Sequence, residues 1–385
     1  MVAIKGRKSS NKNPPIMSHE FVIQNHADIV SCVAMIFVVG LMVQVTSPWA
    51  YTFIAIHHNV SSLISMDGTV PQQPTKYATG LKDACAVFFY FLITIVMHAV
   101  IQEYVFDKIS KRLHLSKSKF SKFNESAQLV IFYALSVIWG IDIIVRERFI
   151  FNIPALWNEY PASMSFSLKF FYIGQIAYWL HCYPELYFQR AKKEEIPHRV
   201  VQATIGLLYT IGAYVLNFQH VGVILLVLHH VGEGLLHGAR LVHFADQKEK
   251  ASKASFLVAN SVFIATRIIT ILLSTLVFFY GLGQVKSTFN LAEGNFNIPP
   301  IRYSALAAIL VFQFYMLFAF LKYQRKRAAA NGAPAISSKV KVIKQKPKKK
   351  EASKKSGGSE DETAESDQGT RKSPRFRAAT AAKAK

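Results

Sequence analysis

The chain has 385 residues, of which 51% are hydrophobic, and a formal net charge of +22. The hydrophobic residues are gathered into runs of about 18 or more, separated by short charged stretches, which is typical of a membrane protein and excludes an ordinary soluble chain. The three cysteines, Cys32, Cys85 and Cys182, lie inside these runs. A thiol there behaves as a small hydrophobe, so we expect no disulfide framework.

Eight hydrophobic runs are long enough to cross a bilayer, and they predict an all-α polytopic membrane protein with about eight transmembrane helices. The predicted spans are residues 29–54, 84–105, 127–145, 166–188, 200–218, 221–238, 256–282 and 301–321. The fifth and sixth are the least secure, because only residues 217–220 separate them and the sixth carries several polar groups. Losing both would leave six spans and the same position of the termini.

The first 28 residues are polar, and the run after them is longer than the hydrophobic part of a signal peptide. This pattern predicts an uncleaved first span.

The orientation follows from the positive charges of the loops, because short loops rich in Lys and Arg stay in the cytosol. The N-terminal segment has four such residues, and the loops 106–126, 189–199 and 239–255 have six, four and four. The loops on the opposite side have five: Lys76, Lys82, Arg146, Arg148 and Lys286. We therefore predict that both termini are cytosolic.

A glycosylation sequon lies in the first loop that this topology places on the lumenal side. Asn59, Val60 and Ser61 have the required pattern, with no proline in the middle. Asn59 is therefore the predicted glycosylation site, in agreement with the orientation from charge.

The C-terminal tail, residues 328–385, is rich in Lys, Ala, Ser and Gly and is predicted to be disordered. From Lys322 onward the chain has 19 Lys and Arg against 6 Asp and Glu, so much of the net charge is in the tail. Without interleaved aromatic residues to stack on bases, the tail is either a solvated segment or an electrostatic attachment to anionic lipid or the ribosome. Ser359 and Ser373 match short kinase patterns and are candidate phosphorylation sites.

Several stretches resemble the translocating chain-associated membrane (TRAM) protein family. They are SHEFVIQNHAD at 18–28, HAVIQEY at 98–104, SKFNES at 121–126, KFFYIGQIAYWLHCYPELYFQ at 169–189 and GNFN at 294–297. The resemblance covers about residues 14–325. It implies a glycoprotein of the endoplasmic reticulum near the Sec61 channel, which contacts nascent chains and helps some signal sequences and membrane segments enter the lipid.

The same resemblance implies a TLC-type helical domain, shared with ceramide synthases, over roughly the third to eighth spans. We accordingly divide the chain into a cytosolic segment 1–28, two first helices with a lumenal loop at 29–118, a TLC-like domain at 119–327 and the tail 328–385.

Ceramide synthases are acyltransferases, and the resemblance implies a motif with a histidine pair on one span and a His-Asp pair on the next. Residues 228–233 read LHHVGE and resemble the second element, but the first element is missing, since Gln202 and Ala203 stand where the histidine pair is expected. Acyl transfer needs a base close to the nucleophile. The sequence therefore favours a non-enzymatic protein.

The four-residue spacing of His229, Glu233 and His237 on the sixth predicted span is one that a metal site can use. The pattern is not the His-Glu-x-x-His of zinc proteases, and no ligand from another span is identifiable, so no metal or other cofactor is predicted.

The intramembrane polar residues predict a polar cavity, because a charged group at the centre of a bilayer costs ~2.5–3.5 kcal/mol on insertion scales. The predicted lining residues are Gln175, His181, Glu185, His229, Glu233, His237, Asn260 and Arg267. The alternative is that these groups satisfy one another inside a packed bundle.

The sequence thus predicts a non-enzymatic accessory of the Sec61 translocon in the endoplasmic reticulum membrane. Its predicted partners are Sec61, nascent polypeptides and signal sequences, membrane lipids, and the ribosome through the tail. A TLC-type lipid acyltransferase or lipid-binding protein and a small-solute transporter remain as alternatives, since intramembrane polar groups also mark transport paths.

Overall fold

The computed structural model of the protein describes residue 15 and residues 18–60, 75–245 and 250–332. Within these ranges the chain is almost entirely helical, which confirms the all-α class predicted from the sequence. Ser61 of the sequon, the basic stretch 339–355 and the candidate phosphorylation sites Ser359 and Ser373 lie outside the described residues.

The described chain contains eleven α-helices and two small two-stranded antiparallel sheets. The helices are α1 His19–Gly40, α2 Ser47–Ile54, α3 Asp83–Ile101, α4 Asp107–Arg112, α5 Lys117–Arg146, α6 Phe166–Phe188, α7 Ile196–Val215, α8 Gln219–Ala245, α9 Lys250–Thr275, α10 Leu282–Gln284 and α11 Pro299–Gly332. The strands are β1 Lys76–Tyr77 paired with β2 Met164–Ser165, and β3 Phe289–Asn290 paired with β4 Asn295–Phe296. A π-helical turn, Gln102–Phe106, links α3 to α4, and another, Leu276–Gly281, links α9 to α10.

The long helices run between two ends of the bundle that differ in character. The loop end carries residues 55–60 and 75–82, the connection 147–165 and the hairpin β3–β4, whose segments pack against one another. The basic end carries α4, residues 189–195 and the start of α1, where Arg190 pairs with Glu20 and Arg199 pairs with Glu125.

Six helical stretches of the described chain are long and apolar enough to cross a membrane. They are His19–Gly40, Asp83–Arg112, Lys119–Arg146, Gln219–Ala245, Lys250–Gln284 and Pro299–Arg327. Helices α6 and α7 are long enough but are not among them, because their mean hydropathy is lower, with polar residues such as Lys169 and Gln175 in α6 and Arg199 and Gln202 in α7. The weaker spans are thus the fourth and fifth, whereas the sequence cast doubt on the fifth and sixth.

The first predicted span, 29–54, is two helices. Helix α1 starts at His19, where the side chain of Ser18 accepts a hydrogen bond from the Phe21 amide at 3.1 Å. The chain turns after Gly40, and Thr46 donates its hydroxyl proton to the Gly40 carbonyl at 2.9 Å. Pro48 then lies in the first turn of α2, a position where the missing amide proton is no loss. The hydropathy of residues 29–54 does not reveal this break, because the residues on both sides of it are apolar.

Helix α8 lies at the centre of the bundle, packed against α5 on one side and α9 on the other. The main core cluster joins it to α6 and to the π-helical turn after α9, through residues such as Phe171, Tyr172, Val223 and Val277. Each of these four side chains is fully buried. The burial of polar α6 inside this cluster explains why it can cross the bundle with modest hydropathy.

The loop end is fastened by buried polar contacts. Tyr160 donates its hydroxyl proton to the Leu216 carbonyl at 2.8 Å and accepts from the Phe296 amide at 3.0 Å. Burial raises the pKa of Tyr160 to about 12, so the hydroxyl keeps the proton that it donates. These contacts join the connection 147–165 to the end of α7 and to strand β4.

A buried ion pair also lies at this end, and the sequence analysis did not find it. Lys169 of α6, with no exposed surface, is 2.8 Å from the Asp83 carboxylate of α3. Its ammonium group also donates to the backbone carbonyls of His57 at 2.8 Å and Ala78 at 2.6 Å. Asp83 in turn accepts from Tyr214 of α7 at 2.7 Å. One lysine therefore holds together two helices and the loop that contains the sequon.

Candidate functional site

A buried charge lies in the middle of the bundle at Arg267 of α9, whose side chain has no exposed surface. Its guanidinium group is 3.1 Å from the Glu233 carboxylate of α8 and 2.8 Å from Nδ1 of His229. It also donates to the Gln313 side chain of α11 at 3.3 Å and lies over the ring of Phe263. Arg267 therefore joins three helices at one point, with its charge balanced by Glu233.

Gly232 allows this close approach of α8 and α9. A side chain at this position would place its Cβ 2.8 Å from the Thr266 hydroxyl and 3.2 Å from the Arg267 guanidinium group. The glycine thus lets the ion pair form directly across the two helices.

A cavity of about 650 Å³ extends from Glu233 toward the basic end of the bundle, between α8, α9 and α11. Glu233 closes its inner end and Asn260 lies on its α9 wall, while Phe256 and Phe320 supply apolar surface. The whole lining is Glu233, Leu236, Arg240, His243, Ser252, Lys253, Phe256, Asn260, Phe263, Met316, Ala319, Phe320, Tyr323, Gln324 and Arg327.

The rim of this cavity, which we call the α8–α11 cavity, is exposed and basic. Arg240, Lys253 and Arg327 are exposed at the basic end, and Tyr323 of α11 is 61% exposed. The charge therefore changes along the cavity, from a carboxylate at the inner end to cations at the mouth.

Helix α11 contacts the bundle through long side chains. Phe320 stacks on Phe263 with ring centroids 4.9 Å apart, and Phe312 lies 6.0 Å from the His229 ring. Phe320 and Phe263 line the α8–α11 cavity, whereas Phe312 and His229 line a separate cavity of about 70 Å³.

The structure brings only part of the predicted cavity set together. Glu233 and Asn260 line the α8–α11 cavity, and Arg267 and His229 lie behind Glu233. His237 points elsewhere, toward the Ser126 hydroxyl of α5 at 3.4 Å. A four-residue step on a helix rotates by about 40°, so His237 is turned by about 80° from His229.

The predicted residues of the fourth span lie away from this cavity. Gln175 donates to the Ser136 hydroxyl of α5 at 2.7 Å, and neither residue lines the α8–α11 cavity. His181 and Glu185 meet His98 of α3 near the basic end, beside a separate small cavity of about 80 Å³. The reason is the helix order, since α5 and α8 stand between α6 and α9.

Sequence reasoning missed Gln313, Arg240 and His98 as members of these sites. Gln313 gave a usable signal, because it is an isolated polar residue in the apolar run 301–321. Arg240 and His98 lie near the ends of predicted spans, where polar residues are common and carry little information.

Comparison with known proteins gives the family. The TLC domain family model matches residues 122–322. The chain is 41% identical over 347 residues to mouse translocating chain-associated membrane protein 2, covering 87% of this chain and 92% of that protein. It is 42% identical over 315 residues to the human protein of the same name, covering 81% and 83%. This chain belongs to the TRAM family.

A weaker match connects this TRAM chain to an enzyme. It is 26% identical over 153 residues to mouse ceramide synthase 4, which covers 38% of this chain and 37% of that protein. The residues at the position of the expected histidine pair are Gln202 and Ala203 of α7. Gln202 of α7 lines a cavity of about 70 Å³ together with His229 and His230 of α8. Gln202 contacts the Tyr133 hydroxyl at 3.4 Å, and its amide has no basic nitrogen.

Proposed function

We propose that this TRAM chain is a non-enzymatic accessory of protein translocation at the Sec61 channel of the endoplasmic reticulum, and that it contacts nascent chains through the α8–α11 cavity. The observation that carries the proposal is this cavity, which begins at a balanced intramembrane charge and opens at a basic rim.

The cavity suits a passing segment that carries polar groups. A polar or charged group in hydrocarbon costs several kcal/mol when nothing satisfies it. Asn260 and the mouth cations offer hydrogen bonds and charge, while Phe256 and Phe320 offer apolar contact to the rest of the segment. The cavity would therefore contact both the polar and the apolar side chains of an amphipathic signal sequence.

The loose contact of α11 gives this cavity a route to the lipid. Because α11 meets α8 and α9 through the side chains of Phe312, Gln313 and Phe320, a small displacement of α11 would widen the gap. A segment could then pass from the cavity into the bilayer without a change in the rest of the bundle.

The residue at the first position of the ceramide synthase motif supports the non-enzymatic role. Gln202 stands there in place of the expected imidazole, and an amide cannot accept a proton at neutral pH.

Filling the cavity is the direct test of this proposal. Ala319→Trp places a large ring in the α8–α11 cavity, and Ala307→Trp places the same ring on an exposed position of the same helix. We expect Ala319→Trp to lower several-fold the translocation of dependent substrates in reconstituted membranes, with Ala307→Trp near the wild type. Equal activity of the two variants at equal protein level would contradict the proposal.

A lipid-binding function is the second candidate, and a specific observation favours it. The cavity beside His230 adjoins an apolar cavity of about 170 Å³, and Tyr209 and Leu225 line both. Both ring nitrogens of His230 and the indole nitrogen of Trp179 are buried there without a hydrogen-bond partner. A lipid with a polar head and an apolar chain matches this surface, and Ala319→Trp would not affect it.

The topology follows from charge and the sequon. We propose that the basic end and both termini face the cytosol and that the loop end is lumenal. Asn59 is exposed at the loop end, where its backbone forms an isolated antiparallel β-bridge with Tyr77. The basic tail then extends into the cytosol, where anionic lipid or the ribosome is its proposed contact.

Glycosylation checks this topology. Glycosidase treatment of the protein from native membranes should increase the gel mobility of the wild type but not of Asn59→Gln. A tag at the C-terminus should be removed by protease added to sealed microsomes. A protected C-terminal tag would contradict the predicted orientation.

A further inference from the structure

Three metal-binding side chains meet near the basic end, where α3 packs against α6. Nδ1 of His98 is 3.0 Å from Nε2 of His181, and Nε2 of His98 is 3.1 Å from Oε1 of Glu185. One donor atom from each residue lies within 4.8 Å of the other two. His181 is 1% exposed and Glu185 is 8% exposed, so the group is shielded from water.

The hydrogen bonds around the three residues leave no N–H group to donate to Glu185. His181 Nδ1 contacts the Tyr178 carbonyl and must carry a proton there, which leaves a lone pair on Nε2 directed at His98. Arg199 donates to the side-chain oxygen Oε1 of Gln189 at 3.2 Å, so the side-chain nitrogen Nε2 of Gln189 is directed at His98 Nε2, at 3.1 Å. His98 Nε2 is therefore an acceptor, and its proton is on Nδ1.

Glu185 consequently has no donor in this arrangement. Its Oε1 faces the lone pair of His98 Nε2, and its Oε2 is buried with no hydrogen-bond partner. A buried carboxylate without a partner is costly, so a positive group is missing from the site. Two occupants would supply it: a second proton on His98, or a metal ion bound by all three side chains.

We propose that His98, His181 and Glu185 bind one divalent transition metal ion, with Zn²⁺ as the best match. Two imidazoles and a carboxylate favour Zn²⁺ over Mg²⁺ or Ca²⁺. One donor atom from each residue lies within 4.8 Å of the others, so small side-chain movements would bring them to the about 3.3 Å that tetrahedral Zn²⁺ requires. The ion would then replace the hydrogen bond between His98 and His181. Histidine ligands of metals usually donate their other N–H to a carboxylate or carbonyl, as His181 does to Tyr178.

The surroundings leave room for a fourth ligand. The adjoining cavity of about 80 Å³ is lined by all three residues and by Gln128 and Cys182, so a water molecule can complete the coordination. The Cys182 thiol is 3.9 Å from His181 Nδ1, the nitrogen turned away from the proposed ion.

The ion would connect two parts of the chain. His98 precedes the segment that matches the TLC domain, whereas His181 and Glu185 lie within it. A π-helical turn, a feature often found at functional sites, begins at Gln102, one turn after His98. The metal would therefore fasten α3 to the TLC bundle at the end opposite the Lys169–Asp83 pair.

Zinc binding by the intact protein tests this site. The full chain is purified in detergent with an affinity tag free of histidine, stripped with a chelator and titrated with Zn²⁺ alone. We expect one Zn²⁺ per chain by elemental analysis, a higher melting temperature with Zn²⁺, and with Co²⁺ a visible absorption band of tetrahedral coordination.

Two variants separate the site from surface histidines. Glu185→Gln should weaken Zn²⁺ affinity by at least about tenfold. His198→Asn changes an exposed histidine at the start of α7 and should leave affinity unchanged. Less than one Zn²⁺ in the wild type, or equal affinity in Glu185→Gln, would overturn the proposal and leave a protonated His98 as the occupant. If Glu185→Gln does not fold, the Co²⁺ spectrum of the wild type decides alone.

Discussion

Lys169→Met is expected to destabilise the protein by about 3–5 kcal/mol, because it leaves a buried carboxylate without its cation. Asp83 is 4% exposed and keeps only its contacts with Tyr214 and the Gly80 amide, at 2.7 and 2.8 Å. The carbonyls of His57 and Ala78 also lose their donor. The free energy of unfolding, measured in mixed detergent micelles, gives the size of the loss.

A double variant separates the contribution of the Lys169–Asp83 ion pair from the cost of an unpaired charge. Lys169→Met combined with Asp83→Leu removes both charges, and it should be more stable than Lys169→Met alone, since no unpaired carboxylate remains. Lys82→Met, at an exposed position next to Asp83, is the matched control and should have little effect. A double variant no more stable than the single one would show that the loop end does not depend on this pair.

Arg267→Gln is expected to lower the free energy of unfolding by a similar amount, about 3–5 kcal/mol, since Glu233 then keeps a charge in the middle of the bilayer with no counter-ion. The loss includes the contacts of the guanidinium group with His229 and Gln313, which a glutamine cannot all replace. Unfolding in the same micelles measures it.

Neutralising both partners gives the control. Arg267→Gln with Glu233→Gln should recover part of the stability, because two neutral amides can bond each other. Arg267→Lys keeps the charge but loses the planar group that contacts three residues at once, so it should be intermediate. Equal stability of Arg267→Gln and the wild type would mean that Glu233 is neutral in the membrane.

Much of the helical architecture could be predicted from the sequence, because hydropathy and loop charge act over whole segments. The break after Gly40 could not, since apolar residues continue through it and only Pro48 marks the new helix. The bundle accommodates the low hydropathy of α6 through tertiary packing, since Lys169 pairs with the buried Asp83 of α3.

The candidate site was partly predictable for a similar reason. Glu233 and Arg267 had to face inward because of their charge, and the structure pairs them. The separation of His181 and Glu185 from this pair depends on the order of the helices in the bundle. The helical periodicity of polar residues cannot predict that order. Gln313 and His98 complete the two clusters from helices far away in sequence, and only the packed structure shows which residues they meet.

Site-specific photo-crosslinking to a stalled nascent chain tests the central claim most directly. A photoreactive residue at Asn260 lies on the wall of the α8–α11 cavity, whereas one at Val258 of the same helix, 57% exposed, lies about 160° away around the helix. In native membranes we expect a signal sequence to crosslink strongly from Asn260 and weakly from Val258. Crosslinking from Val258 alone, or equally from both positions, would contradict the cavity as the contact site.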